Sequence, residues 1–251
     1  MKKFIALVAL GCCLVGCMTD DVVKGYSNNK VEELTSLISK DEITYRLYFP
    51  TDLTEGNMMK YGKLPVLIYL HDKNAGPFVG LDKIMSYVHD GKVPVMVVAP
   101  VCPDNTNWSV VDTLDKLHVI IESLLAQDHL IDTNRVYLTG FGSGGRGAWR
   151  YACLYPTQLT TVAPVCGGCA PTVSTPRIIV KSETRNLNVW AVDYADDRQA
   201  TTDMSKMIMR QLWAENVGLA RYSMLLHGGH TDAIYSDPTF LGWIFGTRRS
   251  R

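Results

Sequence analysis

Apolar and polar positions along the chain form two kinds of segment that take turns. The stretches 31–38 (VEELTSLI) and 42–50 (EITYRLYFP) alternate in polarity and favour β-branched and aromatic residues, which predicts paired strands with one face on a core. The runs 64–70 (LPVLIYL), 93–100 (VPVMVVAP) and 134–140 (NRVYLTG) are short and almost continuously apolar, as parallel strands covered on both faces should be. Three later runs, 159–165 (LTTVAPV), 187–192 (LNVWAV) and 220–226 (ARYSMLL), continue the series. Helical spacing fills the gaps. Residues 78–91 (FVGLDKIMSYVHDG) end at Gly91, a natural C-cap. Residues 112–129 place Leu114, Leu117, Ile121, Leu124 and Leu125 on one stripe, and 201–218 do the same with Met204, Met207, Ile208, Leu212 and Trp213 before Gly218. The methionine stripe reads as core. Strand and helix in alternation predict an α/β protein with a doubly wound, mostly parallel, eight-stranded sheet flanked by helices. Ligands are expected where the carboxyl ends of its strands open.

The first residues change the picture of where the fold begins. MKKFIALVALGCCLVGC carries two lysines and then an apolar stretch from Phe4 to Gly16, too short to span a bilayer and suited to a signal peptide. Its end, LVGC, resembles the bacterial lipobox, in which cleavage precedes a cysteine that then carries lipid. The expected organisation is therefore a signal peptide over 1–16, a polar leash over 17–30 lipidated at Cys17, and one domain over 31–251. Such a protein sits in the bacterial cell envelope, held to the membrane by lipid, on a periplasmic or surface-facing side.

Charge and composition then exclude partners. The 25 basic and 25 acidic residues cancel, leaving no long-range field to draw in nucleic acid. With 47% hydrophobic residues the chain can bury one large core. Of seven cysteines, Cys12, Cys13 and Cys17 lie in the leader, which leaves Cys102, Cys153, Cys166 and Cys169 in the folded part. An even number in an exported protein permits disulfides, with Cys166 to Cys169 or a Cys153 bridge the ones considered.

Reactive residue types gather in the loops that leave the strands: HDKN after 70, VCPDNTNW after 100, GFGSGG after 140, VCGGC after 165, DYADD after 192 and HGGH after 226. A sharp glycine-rich turn, then an acid, then a histidine is the chain order of an α/β-hydrolase. The blocks RVYLTGFGSGGRGAWRYACLYP, APVCGG, VWAVDYADD and GGHTDAIYSDPTFLGWIF together resemble the serine-esterase branch of that superfamily, the peptidase, polyhydroxybutyrate-depolymerase-like and phospholipase-carboxylesterase group, over roughly residues 40 to 247.

The resemblance implies a nucleophile, and here the chain departs from it. Relatives carry a turn of the form TGLSMGGYGAW; setting Thr139, Gly140, Gly144, Gly145, Gly147, Ala148 and Trp149 in register puts Gly142 at the nucleophile position and Ser143 one place later. The physics of the turn favours the same frame, because the residues two before and two after its tip must be small. Around Gly142 those are Gly140 and Gly144; around Ser143 one of them would be Phe141. Glycine has no atom able to attack a carbonyl. The resemblance assigns the base to His230 and its orienting acid to Asp197, with Asp196 the neighbouring alternative. The oxyanion-hole positions fall on Asp72 and the backbone N–H of Ser143. Asp72 stands where relatives have glycine, and a carboxylate there opposes developing negative charge. His71, Asn107, Trp108, Cys166 and Asp193 are candidate pocket residues, although Trp108 can equally pack into the core.

No cofactor is expected. A zinc site from Cys102, Cys166, Cys169 and His230 has suitable donor types, but Cys102 and Cys166 recur in catalytic relatives as loop residues, so metal is set at none. Three functional readings stay open. The first is a lipid-anchored, catalytically degenerate esterase relative that binds an acylated glycan, peptide or ester. The second is an active esterase using Ser143, His230 and Asp197. The third is a structural or interaction lipoprotein.

Overall fold

The computed structural model describes residues 35–40, 43–50, 62–90, 93–126, 130–168 and 186–249. Cys17, the signal segment, the leash, residues 31–34, Gly91 and Cys169 lie outside the described residues.

Eight strands form one sheet in the order β1-β2-β4-β3-β5-β6-β7-β8. They are β1 (Thr35–Lys40), β2 (Ile43–Tyr48), β3 (Leu64–Leu70), β4 (Met96–Pro100), β5 (Ile131–Phe141), β6 (Thr161–Val165), β7 (Asn188–Tyr194) and β8 (Ala220–Leu225). β1 and β2 form an antiparallel pair, and β2 runs antiparallel to β4. From β4 through β3 and β5 to β8 every pairing is parallel. The alternating segment 42–50 thus became the antiparallel end, and the continuous apolar runs became the parallel centre, where β3, β4 and β6 are buried at every position.

Among the described residues five α-helices cover the sheet: α1 (Leu81–His89), α2 (Val111–Leu125), α3 (Ser143–Leu154), α4 (Asp203–Ala214) and α5 (Pro238–Gly246). Strand residues alternate between faces, and β3 shows how the layers divide. Leu64, Val66, Ile68 and Leu70 pack with apolar residues of α2, α3 and α4, whereas Leu67 and Tyr69 pack with those of α1 and α5. The α2 stripe is buried through Leu114, Leu117, Ile120, Ile121 and Leu124. In α4 the buried side is Met204, Ser205, Ile208, Met209 and Leu212, so the predicted stripe is corrected at two positions. Met207 is only partly covered, and Trp213 is 49% exposed. Trp213 sits one residue before the helix ends, where its indole N–H donates to the Ala220 carbonyl 2.9 Å away instead of entering the core.

β5 ends by turning straight into α3, and three glycines make that turn possible. A Cβ on Gly144 would run into the Leu70 carbonyl, and one on Gly140 would meet Gly144 carbonyl O and C. Gly147 lets α3 lie against Trp108, which is fully buried. The turn is thus a tight junction of strand, neighbouring strand and helix.

Candidate functional site

The loops after β3, β5, β6, β7 and β8 meet around His230. Its Nδ1 lies 2.8 Å from Asp197 Oδ2, and its Nε2 lies 3.6 Å from Asp72 Oδ2. All three side chains are nearly inaccessible, 10% for His230, 2% for Asp197 and 6% for Asp72. A carboxylate only accepts, so Nδ1–H donates to Asp197. Asp72 and then Asp197 raise the imidazole above its ordinary pKa, outweighing the burial that opposes this. Burial pushes Asp72 up, but the His230 ring facing it and hydrogen bonds from Ser143 and Asn74 outweigh it and bring the carboxyl down to about 2. The site is an imidazole held between two carboxylates.

The loop after β5 explains how Asp72 reaches the ring. Gly142 has φ 58° and ψ −119°, a conformation glycine adopts without a Cβ clash. A Cβ built there would stand 2.7 Å from Asp72 Cγ and 2.9 Å from both Asp72 Oδ2 and His230 Nε2. The side chain of residue 142 would therefore point at the imidazole, and the carboxylate of Asp72 occupies that place. Ser143 lies at the first turn of α3. Its Oγ donates to Asp72 Oδ1 at 2.7 Å and accepts from the Lys73 amide at 2.8 Å. Its own N–H also faces Asp72 Oδ1, at 3.3 Å.

Residues around the assigned acid, base and oxyanion positions fix this arrangement. The Lys73 ammonium donates to the carbonyls of Pro103 (3.3 Å), Asp104 (2.7 Å) and Thr106, clamping the Asp72 loop to the loop after β4. Phe141 packs its ring 4.7 Å from the His230 ring. Asp196 accepts from the amides of Gly228 (3.2 Å) and Gly229 (2.8 Å), so it tethers the histidine loop while Asp197 holds the ring. On the far side Lys83 pins Asp232 at 2.6 Å. The sequence signal for Asp196 was present in DYADD; for Lys73 there was only its place beside Asp72.

Several candidate pocket residues have other duties. His71 is buried and neutral: its Nδ1 donates to the Asp72 carbonyl and its Nε2 accepts from Cys102 N, both at 3.0 Å. Burial lowers its pKa. Trp108 is a core residue whose indole N–H donates to the His71 carbonyl. Asn107 is exposed and accepts from Ser109 N, shaping the approach to α2. Asp193 is 3% exposed and accepts from Tyr222 OH at 3.1 Å. Burial raises its pKa. Among the described residues Cys102, Cys153 and Cys166 form no disulfide with one another; a bridge from Cys166 or Cys153 to Cys169 involves a residue outside the described ones. Among the described residues Cys166, Asp197 and His230 bring donor atoms within 4.8 Å of one another, a group that does not include Cys102.

No family model and no curated protein matches the chain. Solved structures do. A thermostable esterase superposes with a TM-score of 0.67 at 24% identity over 86% of this chain, which spans 63% of that protein's length. An S-formylglutathione hydrolase from Staphylococcus aureus gives a TM-score of 0.59 at 12% identity, covering 84% of this chain and 95% of the other. An alpha/beta hydrolase enzyme from a Medee basin deep-sea metagenome library gives 0.57 at 16% identity, covering 78% and 83%. The fold is that of the α/β-hydrolases. Gly142 thus lies on the strand-to-helix turn of a hydrolase fold, and Asp197 and His230 follow it in the hydrolase chain order.

Proposed function

We propose that this chain is an α/β-hydrolase-fold protein related to carboxylic-ester hydrolases that has lost serine chemistry and binds a ligand at the old active-site mouth. Cys17 carries lipid and holds the protein to the bacterial cell envelope. One observation carries the reading: the Asp72 carboxylate fills the space into which residue 142 would project, with its Oδ1 on the Ser143 N–H and hydroxyl and its Oδ2 facing His230. Nucleophile and anion-binding position are thus taken by one fixed negative charge. An oxyanion forming there would meet a carboxylate in a site shielded from water, where like charges repel most. The active-esterase alternative needs the Ser143 hydroxyl on His230, and that hydroxyl is committed to Asp72 and Lys73.

The test is the purified protein on short-chain aryl esters, with a fluorophosphonate probe. The expected result is no burst and no label. Gly142→Ser alone stays inactive, because its Cβ and Asp72 compete for one place. Gly142→Ser with Asp72→Gly gains label and turnover. Hydrolysis by the unaltered protein that Ser143→Ala abolishes overturns the proposal.

A further inference from the structure

We propose that Cys166, Asp197 and His230 form a site for a borderline-soft divalent cation of the Zn²⁺ class, which makes a metal ion the ligand of this mouth. The inference rests on the loss of serine chemistry proposed above, since an imidazole bound to metal through Nδ1 cannot serve a hydroxyl nucleophile.

Three consecutive strand-end loops supply one sulfur, one oxygen and one nitrogen: Cys166 after β6, Asp197 after β7 and His230 after β8. Their donor atoms lie within 4.8 Å of one another. The mixture of thiolate, carboxylate and imidazole is the donor set that zinc accepts. These donors converge through hydrogen bonds that a cation can replace. His230 Nδ1 is 2.8 Å from Asp197 Oδ2, and Cys166 Sγ donates to the Thr231 carbonyl at 3.6 Å. Bonds of roughly 2.0–2.1 Å to nitrogen and oxygen place two tetrahedral ligands about 3.3 Å apart, so the Asp197–His230 pair has only to open by about 0.5 Å. Binding releases the thiol proton and the proton between imidazole and Asp197, and the Thr231 carbonyl or a water completes four ligands.

The opposite side of the ring fits the same reading. A metal-bound imidazole characteristically donates its other N–H to a carboxylate, which fixes the ring. Asp72 Oδ2 faces Nε2 at 3.6 Å, longer than a good hydrogen bond. Thiolate and Asp197 together balance the charge of a divalent ion, and Asp72 holds the ring without binding the metal. The set differs from the one the sequence offered: Cys102 lies instead against His71 and Thr106.

The full chain, reduced and stripped of metal with a chelator, is titrated with Co²⁺ and then Zn²⁺. The expected signs are a near-ultraviolet sulfur-to-cobalt charge-transfer band, visible bands of a four-coordinate ion, 1:1 displacement by Zn²⁺ and a Tm raised by Zn²⁺. Cys166→Ser removes the charge-transfer band, and Cys153→Ser keeps it. Asp72→Asn keeps the band but weakens zinc binding roughly 10- to 100-fold. Far-ultraviolet circular dichroism verifies that each variant is folded, and Asp72→Asn, which leaves all three donors, gives an independent readout. No band, or a band that survives Cys166→Ser, overturns the metal site. Fluorophosphonate labelling on the same preparation separates the two proposals: unlabelled protein without a band loses only the metal site, and protein labelled at Ser143 loses the proposed function.

Discussion

At Gly142 the backbone angles and the Asp72 carboxyl act on one another. A side chain at φ 58° and ψ −119° is strained by itself, and its Cβ would also stand 2.7 Å from Asp72 Cγ. Gly142→Ala is therefore expected to cost about 1–3 kcal/mol from backbone strain alone, with more from the collision. Removing the carboxyl should relieve the second part: Asp72→Gly combined with Gly142→Ala is expected to cost less than the sum of the singles, by about 0.5–3 kcal/mol in a double-mutant cycle read by urea unfolding. Strict additivity would mean that the two residues do not compete. Asp72→Asn removes the charge that favours the imidazolium, so the His230 pKa should fall toward its ordinary value, as NMR titration of the ring would record.

At the scale of elements, the parallel strands and helices were legible because burial on both faces leaves a continuous apolar run, and burial on one face leaves a stripe. The loops were legible only as lists of residue types. The adjacent Asp196 and Asp197 of DYADD were both open to the one histidine, and the structure divides the work: Asp197 takes the ring and Asp196 takes the amides of Gly228 and Gly229. Asp196→Ala should leave the sheet intact and raise hydrogen exchange across residues 227–231, whereas Asp197→Ala should leave those amides protected and lower the pKa of His230. Equal exchange in the two variants would refute that division. Trp213 marks the limit of the helical stripe. Period alone assigned it to the core, but the end of α4 and the start of β8 gave its indole a carbonyl to bind at the surface.

For the whole molecule the charged site imposes a pH dependence with two limbs. His230 titrates higher in the folded protein than its unfolded value of about 6.5, so its contribution is complete below about 6.5 and is lost as pH rises through the folded value. Asp72 titrates at about 2 against an ordinary 3.8, so its contribution is present above the ordinary value and is lost as pH falls through about 2. Urea unfolding across the range should show stability falling on the alkaline side, and Asp72→Asn should flatten that limb. The absence of a disulfide among Cys102, Cys153 and Cys166 makes a further prediction: alkylation in urea without reductant should label all three. Protection of any one would mean a bond absent from this structure. No described helix is long and apolar enough to cross a membrane.

Periodicity and small residues by themselves determined the layered α/β architecture, the order of its strands and helices, and the glycine turn after β5, because each follows from which residues can be buried or can approach backbone closely. They also placed Gly142, Asp72, Asp197 and His230 on loops at one edge. Only the tertiary structure decided what those loops do to one another. Asp72 and Gly142 are 70 residues apart in the chain, and no local pattern records that an empty side-chain position on one loop is filled by a carboxylate from another. That exchange depends on distances between strand ends, which the packing of the whole sheet sets.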